Sequence, residues 1–173
     1  MSVYGMKLIN EESVSCTTAT PSVDIGTVRF HGGIQYMYMY NAGGEGYKGA
    51  PCWVTATSAM DFVTTYATFA ALSAAGADGF AFAGVLHNAT CAAGSYAWVA
   101  QRGLLNCRPS SSAIAAGDAV IAGDDGNWVQ SRTGVTETST IYQIASYIVN
   151  TVVGQAMEAA TAAATGTIKV YVR

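Results

Sequence analysis

Gly33-Ile34-Gln35-Tyr36-Met37-Tyr38-Met39-Tyr40-Asn41 sets the fold class of this chain. Ile34, Tyr36, Tyr38 and Tyr40 fall on one face of an extended backbone, and Gln35, Met37 and Met39 on the other. Alternation at period two with aromatic enrichment predicts a strand. The following Asn41-Ala42-Gly43-Gly44-Glu45-Gly46 ends it, and the glycines between Gly43 and Gly49 predict a sharply turned or open loop. Upstream, residues 1–30 are polar and weakly periodic, with Pro21 in their midst, and read as an extended N-terminal arm. Residues 31–173 read as one β-rich domain.

The same grammar recurs downstream. Trp53-Val54, Trp98-Val99 and Trp128-Val129 each follow a glycine by a few residues, namely Gly49, Gly94 and Gly126. Ala92-Ala93-Gly94-Ser95 and Ala115-Ala116-Gly117-Asp118 each precede a strand-like segment. Short strands launched from glycine turns, at spacings too irregular for a propeller or solenoid, predict a small β-barrel or sandwich with Trp53, Trp98 and Trp128 as core aromatics. Residues 80–86 read as a strand and residues 88–94 as a turn. Between them and the first strands, Phe62, Tyr66, Phe69 and Leu72 are spaced like one helical face, so residues 58–78 are expected to hold a short helix or an ordered excursion. The carboxy-terminal part is ambiguous, because residues 155–160 favour helix while the segments on either side look extended. A hairpin turning near residues 164–166, with Ile168, Val170 and Val172 buried, is the preferred solution.

Composition narrows the function. Of 173 residues, 51% are hydrophobic and only 11% are charged, and mean hydropathy is +0.27. Ordinary soluble domains carry about 25% charged residues. Gly, Ser and Thr interrupt the apolar residues everywhere, so no run approaches the ~20 apolar residues of a spanning helix, and no membrane partner is expected. A folded chain of this mass exposes roughly 8,000 Å². Its 8 basic and 11 acidic residues then leave about 400 Å² per ionic group, as much as the largest apolar patch of a typical monomer. Such a surface is expected to be covered by neighbours. The net charge of −3 argues against nucleic acid, which is held by clustered Lys and Arg.

Reactive chemistry finds little foothold. Only His31 and His87 are available as an imidazole base, and neither lies in a G-x-S-x-G or H-E-x-x-H pattern. The acidic residues lie mostly in the arm and in turns, no phosphate-binding G-x-x-x-x-G-K-[ST] loop is present, and Asp124-Asp125-Gly126-Asn127 lacks the ligand spacing of a calcium loop. Cys16, Cys52, Cys91 and Cys107 show no C-x-x-C spacing, which leaves buried free thiols as the simplest reading and a Cys91–Cys107 bridge as the alternative. No enzyme activity, cofactor or metal is expected. The amino terminus has no basic stretch leading into an apolar one, so folding in a cytoplasm is expected, and the Asn88-Ala89-Thr90 sequon reads as coincidental.

Residues 82–120 carry a resemblance. Ala83-Gly84-Val85, then Ala92-Ala93-Gly94-Ser95-Tyr96-Ala97-Trp98-Val99-Ala100-Gln101-Arg102-Gly103, then Ala115-Ala116-Gly117-Asp118-Ala119-Val120 resemble the capsid decoration, or cement, proteins of tailed bacteriophages. Those show a G-x-Y-x-W-V-Q strand ahead of an A-A-G-D turn; here Ala100 separates Trp98-Val99 from Gln101, and Ala97 precedes the tryptophan. Val153-Gly154-Gln155-Ala156-Met157-Glu158-Ala159-Ala160 and Thr167-Ile168-Lys169-Val170 are similar to the family's G-x-A-L-E-A and V-K-V close. With residues 36–40, the likeness spans about two thirds of the chain.

The resemblance implies a β-tulip-like domain that binds the outer surface of an assembled virion, with the major capsid protein and its own copies, in a homotrimer, as partners. It implies stabilisation of the shell by clamping neighbouring capsomers. Within such an assembly Val3, Tyr4, Met6, Leu8 and Ile9 are the candidate capsid-contact residues, as apolar anchors of an arm laid along a capsid strand. Two other readings remain open: a virion-attached β-sandwich binding module, such as a fibre base or a carbohydrate-binding domain using Tyr36, Tyr38, Tyr40 and Tyr47, and a minor head or tail adaptor.

Overall fold

The alternating stretch at residues 34–41 is a strand, and what it pairs with organises everything else. In the computed structural model the described residues are 17–55, 58–64, 82–87, 90–109, 113–122, 129–131, 152–161 and 166–172. They form β1 (Thr17–Thr18), β2 (Val28–His31), β3 (Ile34–Asn41), β4 (Pro51–Thr55), β5 (Ser58–Val63), β6 (Phe82–Val85), β7 (Tyr96–Cys107), β8 (Ala119–Ala122), β9 (Val129–Ser131), β10 (Val152–Ala156) and β11 (Ile168–Val172). The protein is mainly β, with no helix among these residues.

Five strands close on themselves. β3 pairs antiparallel with β7, setting Tyr38 opposite Trp98. β7 meets β6 at Ala100 and Val85, and β6 meets β4 at Gly84 and Cys52. β4 meets β5 at Val54 and Phe62, and β5 returns to β3 in a short parallel pairing of Phe62 with Asn41. The ring is a small barrel, which removes the free edges of its strands.

Period-two alternation then sorts the side chains into two cores. Met39, Cys52, Phe62, Ala83, Ala97 and Val99, at least one from each barrel strand, fill the interior with Leu86 and Cys91. Tyr36, Tyr38, Trp98 and Ala100 point out of the barrel and join Leu105, Cys107, Val120, Val153, Ile168, Val170 and Val172 in a second core. That core is closed by a sheet continuing from β7 in the order β11-β10-β8-β9. The twelve-residue β7 therefore serves twice, pairing β3 through its first half and β11 through residues 103–107. Trp53 and Trp98 are each 2% exposed, whereas Trp128 lies outside the described residues.

Both Ala-Ala-Gly motifs are turns of one design. The Ser95 N–H donates to the Ala92 carbonyl at 3.2 Å, and the Asp118 N–H to that of Ala115 at 3.1 Å. Gly94 and Gly117 take φ of 72° and 92°. β10 and β11 form the C-terminal pair, Gln155 opposite Tyr171, with Ile168, Val170 and Val172 buried. The helix expected over residues 58–78 is corrected where it is described. Residues 58–63 are β5, and Phe62 is buried in the barrel between partners on β3 and β4. Pairing across three strands outweighs a four-residue spacing that a lone helix would use. Residues 65–81 lie outside the described set.

The described part of the arm is fastened to the barrel. β1 pairs with β7, Thr17 opposite Ala97, and β2 pairs with β3. The Tyr38 hydroxyl hydrogen-bonds Thr18 Oγ1 at 2.8 Å and Ser22 Oγ at 3.1 Å, and accepts from the Ser22 N–H at 3.3 Å. The Tyr38 carbonyl takes the Gly26 N–H at 2.7 Å. A buried hydroxyl that satisfies its own needs through residues 18–22 holds that segment in place. Tyr38→Phe is expected to cost about 1–2 kcal/mol and to speed amide exchange over residues 18–27; unchanged exchange there would show the tether to be idle.

At Gly84 two strands approach closely. Its φ is +143°, and a Cβ built there would run into the carbonyl oxygen of Ala100 on β7. Gly84→Ala combines backbone strain with a clash against backbone that cannot rotate away, an expected loss of about 2–4 kcal/mol. Urea unfolding measures it, and a loss below about 0.5 kcal/mol would argue against this contact.

Candidate functional site

Of the described residues singled out from sequence, Tyr36, Tyr38 and Trp98 meet in the second core and Cys52 and Cys91 in the barrel interior. Val3, Tyr4, Met6, Leu8 and Ile9 lie outside the described residues, as does Cys16. Tyr36 and Tyr38 are buried, and Tyr40 packs against Tyr96 with ring centroids 5.1 Å apart. Of the four tyrosines considered for stacking on sugar, Tyr47 is the exposed one, with the Arg108 guanidinium 5.1 Å from its ring centre. Cys52, Cys91 and Cys107 are free thiols. Cys91 belongs to the barrel interior and Cys107 to the second core, so the sheet separates them and no bridge forms. Burial pushes all three thiols up, Cys91 to about 11, which keeps them protonated and poorly nucleophilic at neutral pH. Among the described residues no three His, Cys, Asp or Glu side chains are grouped to hold a metal, and no helix is long and apolar enough to cross a membrane.

A different feature is assembled by the fold. Beyond residue 102, β7 leaves β3 and runs beside β11, with Leu104 opposite Tyr171 and Asn106 opposite Lys169. Alternate residues share a face, so Arg102, Leu104 and Asn106 lie in one row beside Tyr171 and Lys169. Arg102, Leu104, Lys169 and Tyr171 of this face line an open cleft of about 860 Å³, which Gly103 and Val172 of the other phase, the β2–β3 turn with Ile34, and His87 complete. Gly103 lets the turn come close: at φ +118° it leaves a Cβ position only 3.1 Å from the Gly33 carbonyl oxygen. Leu104 and Tyr171 are 45% and 46% exposed.

His87 fixes the inner wall. β6 stops at Val85, and the imidazole takes over from the ladder, its Nδ1 accepting the Asn106 N–H at 2.7 Å. Accepting at Nδ1 places the proton of the neutral ring on Nε2. The Asn106 side chain in turn accepts from Lys169 Nζ at 2.6 Å. Burial, and then the charges of Lys169 and Lys48, pull the His87 pKa down from 6.5 to about 4. At neutral pH the imidazole is therefore uncharged, and among the described residues the cleft is lined by Arg102 and Lys169 and by no carboxylate. Glu158 accepts the backbone N–H of Lys169 at 3.0 Å.

Sequence reasoning missed this cleft. The Lys169-Val170-Tyr171-Val172 alternation was informative about the buried valines. The signal left unread was its other phase, Lys169 and Tyr171, which stand opposite Asn106 and Leu104. No protein-family model, curated protein or solved structure matches this chain.

Because the folded protein binds its His87 proton more weakly than the unfolded chain does, stability is complete above about pH 6.5 and declines as pH falls toward 4. The full decline from this group is on the order of 3 kcal/mol. His87→Asn keeps an acceptor for the Asn106 N–H and is expected to flatten the curve between pH 6.5 and 4. An equally steep curve in that variant would assign the acid sensitivity elsewhere.

Proposed function

We propose that this chain is a structural virion protein that binds the outside of an assembled phage capsid and stabilises it by clamping neighbouring capsomers as a homotrimer, without catalysing a reaction. The observation that carries the reading is a row of large apolar side chains left in water. Ile25, Val28, Phe30 and Met60 are 41%, 44%, 74% and 40% exposed. They follow β2, whose only described ladder is with β3, and the neighbouring β5, which Gly26 approaches at the Met60 side chain.

In a chain with so few ionic groups, apolar side chains along a strand are what a partner surface covers. If each protomer gives about 800 Å² to each of two neighbours, the sparse charge is accounted for before the shell is touched. Cementing is then linkage: a protein that binds the assembled lattice and not its separated subunits stabilises the lattice by that difference in affinity. Three linked protomers multiply modest contacts into firm attachment. The sequence resemblance to decoration proteins supports the same reading.

Purified protein added to particles lacking it is expected to co-sediment with them and to raise the temperature at which they release their contents. Deleting residues 1–12, or replacing Phe30 by Asp, is expected to lower occupancy at least tenfold. Failure of the intact protein to co-sediment would overturn the proposal, and full retention of the deletion variant would remove the arm from the contact.

A further inference from the structure

We propose that the cleft between β7 and β11 is a receptor for an acidic, extended polypeptide segment of the partner lattice, with one carboxylate at Arg102, one at Lys169 and an apolar side chain seated between them on Leu104 and Tyr171. The inference deepens the capsid-binding reading by naming the chemistry of what the protein grips, and as a statement about the shell it rests on that reading.

Spacing gives the segment its form. Arg102 and Asn106 are four residues apart on one strand, about 13 Å at ~3.3 Å per residue, and Lys169 stands opposite Asn106. An extended peptide repeats at the same interval, so side chains at its positions 1, 3 and 5 meet Arg102, the Leu104–Tyr171 pair and Lys169 in turn. Charge supplies the sign. Among the described residues Arg102 and Lys169 make no ion pair and no acid lines the cleft, and the nearby Lys48 adds to the positive field felt by His87. Lys169 is held in position by Asn106, itself fixed by His87. An anchored ammonium and an exposed guanidinium at either end of an apolar step discriminate by charge and register together. The cleft is open and holds about 860 Å³, with Gly32, Gly33 and His87 also among its lining residues.

The test uses the full chain and a defined probe: an acetylated, amidated heptapeptide with aspartates at its second and sixth positions, leucine at its fourth and threonine or glycine elsewhere. Its binding is followed by NMR shifts of the cleft amides. The aspartate peptide is expected to bind at least tenfold more tightly than its asparagine counterpart, and to weaken several-fold between 50 and 500 mM salt. Arg102→Glu with Lys169→Glu is expected to lower affinity at least tenfold, and the single glutamine variants by intermediate amounts, with the melting temperature monitored to confirm folding. Equal binding of both peptides, no binding, or indifference to the folded variants would overturn the proposal. The double variant added to particles separates the two readings. Undiminished occupancy would sink the cleft while leaving decoration intact. Peptide recognition by a chain that binds no particle would keep the cleft as an acidic-peptide receptor and end the capsid reading.

Discussion

The pairing of β3 with β7 is the constraint on which the rest depends. Six residue pairs, from Gln35 with Arg102 to Tyr40 with Tyr96, join two strands separated by more than fifty residues of chain. Once they are in register, alternate side chains have no choice of side. Met39, Ala97 and Val99 turn into the barrel, while Tyr36, Tyr38 and Trp98 turn outward to found the second core. A slip of one residue would exchange these sets. Two specific contacts resist it: the Tyr38 ring lies 5.1 Å from that of Trp98, and the Arg29 guanidinium covers the Trp98 ring at 4.4 Å. Buried polar groups add to the specification. Asn41, at the end of β3, donates to the carbonyls of Gly44, Cys91 and Ala92 and accepts the Gly43 N–H, tying the glycine loop to the turn before β7.

How much of this was legible follows from which contacts are local. The β3 alternation and the buried face of β11 were readable because a strand's own side chains report its exposure at period two. The Ala-Ala-Gly turns were readable because glycine at positive φ leaves a compositional mark. β5 was not, since the Phe62 side chain is placed by strands on both sides of it, and nothing within residues 58–63 encodes that neighbourhood. The closure of the barrel is likewise a property of pairings, absent from any single segment.

The cleft shows the same limit on the functional side. Its lining comes from residues 102–104 of one strand, from Lys169, Tyr171 and Val172 of another, from a turn near residue 33 and from His87. Each is bland in sequence: a single arginine, a single lysine, a glycine pair, a histidine at a strand end. Their meaning arises because β7 outlasts β3 and finds β11, so that one strand carries the barrel at its start and a charged, half-apolar trough at its finish. The barrel and the proposed recognition cleft thereby share a backbone, and the apolar row along β2 flanks the turn beside that cleft.

In the proposed function, this surface carries little charge because a viral shell and sibling copies cover it. A cryo-EM reconstruction of the particle encoded alongside this chain addresses it most directly. Under the proposed function, barrel-sized density is expected in groups of three, repeated over the outer face of the capsid between neighbouring capsomers. Density at one vertex alone, or a shell bare of it in particles shown by mass spectrometry to be complete, would contradict it.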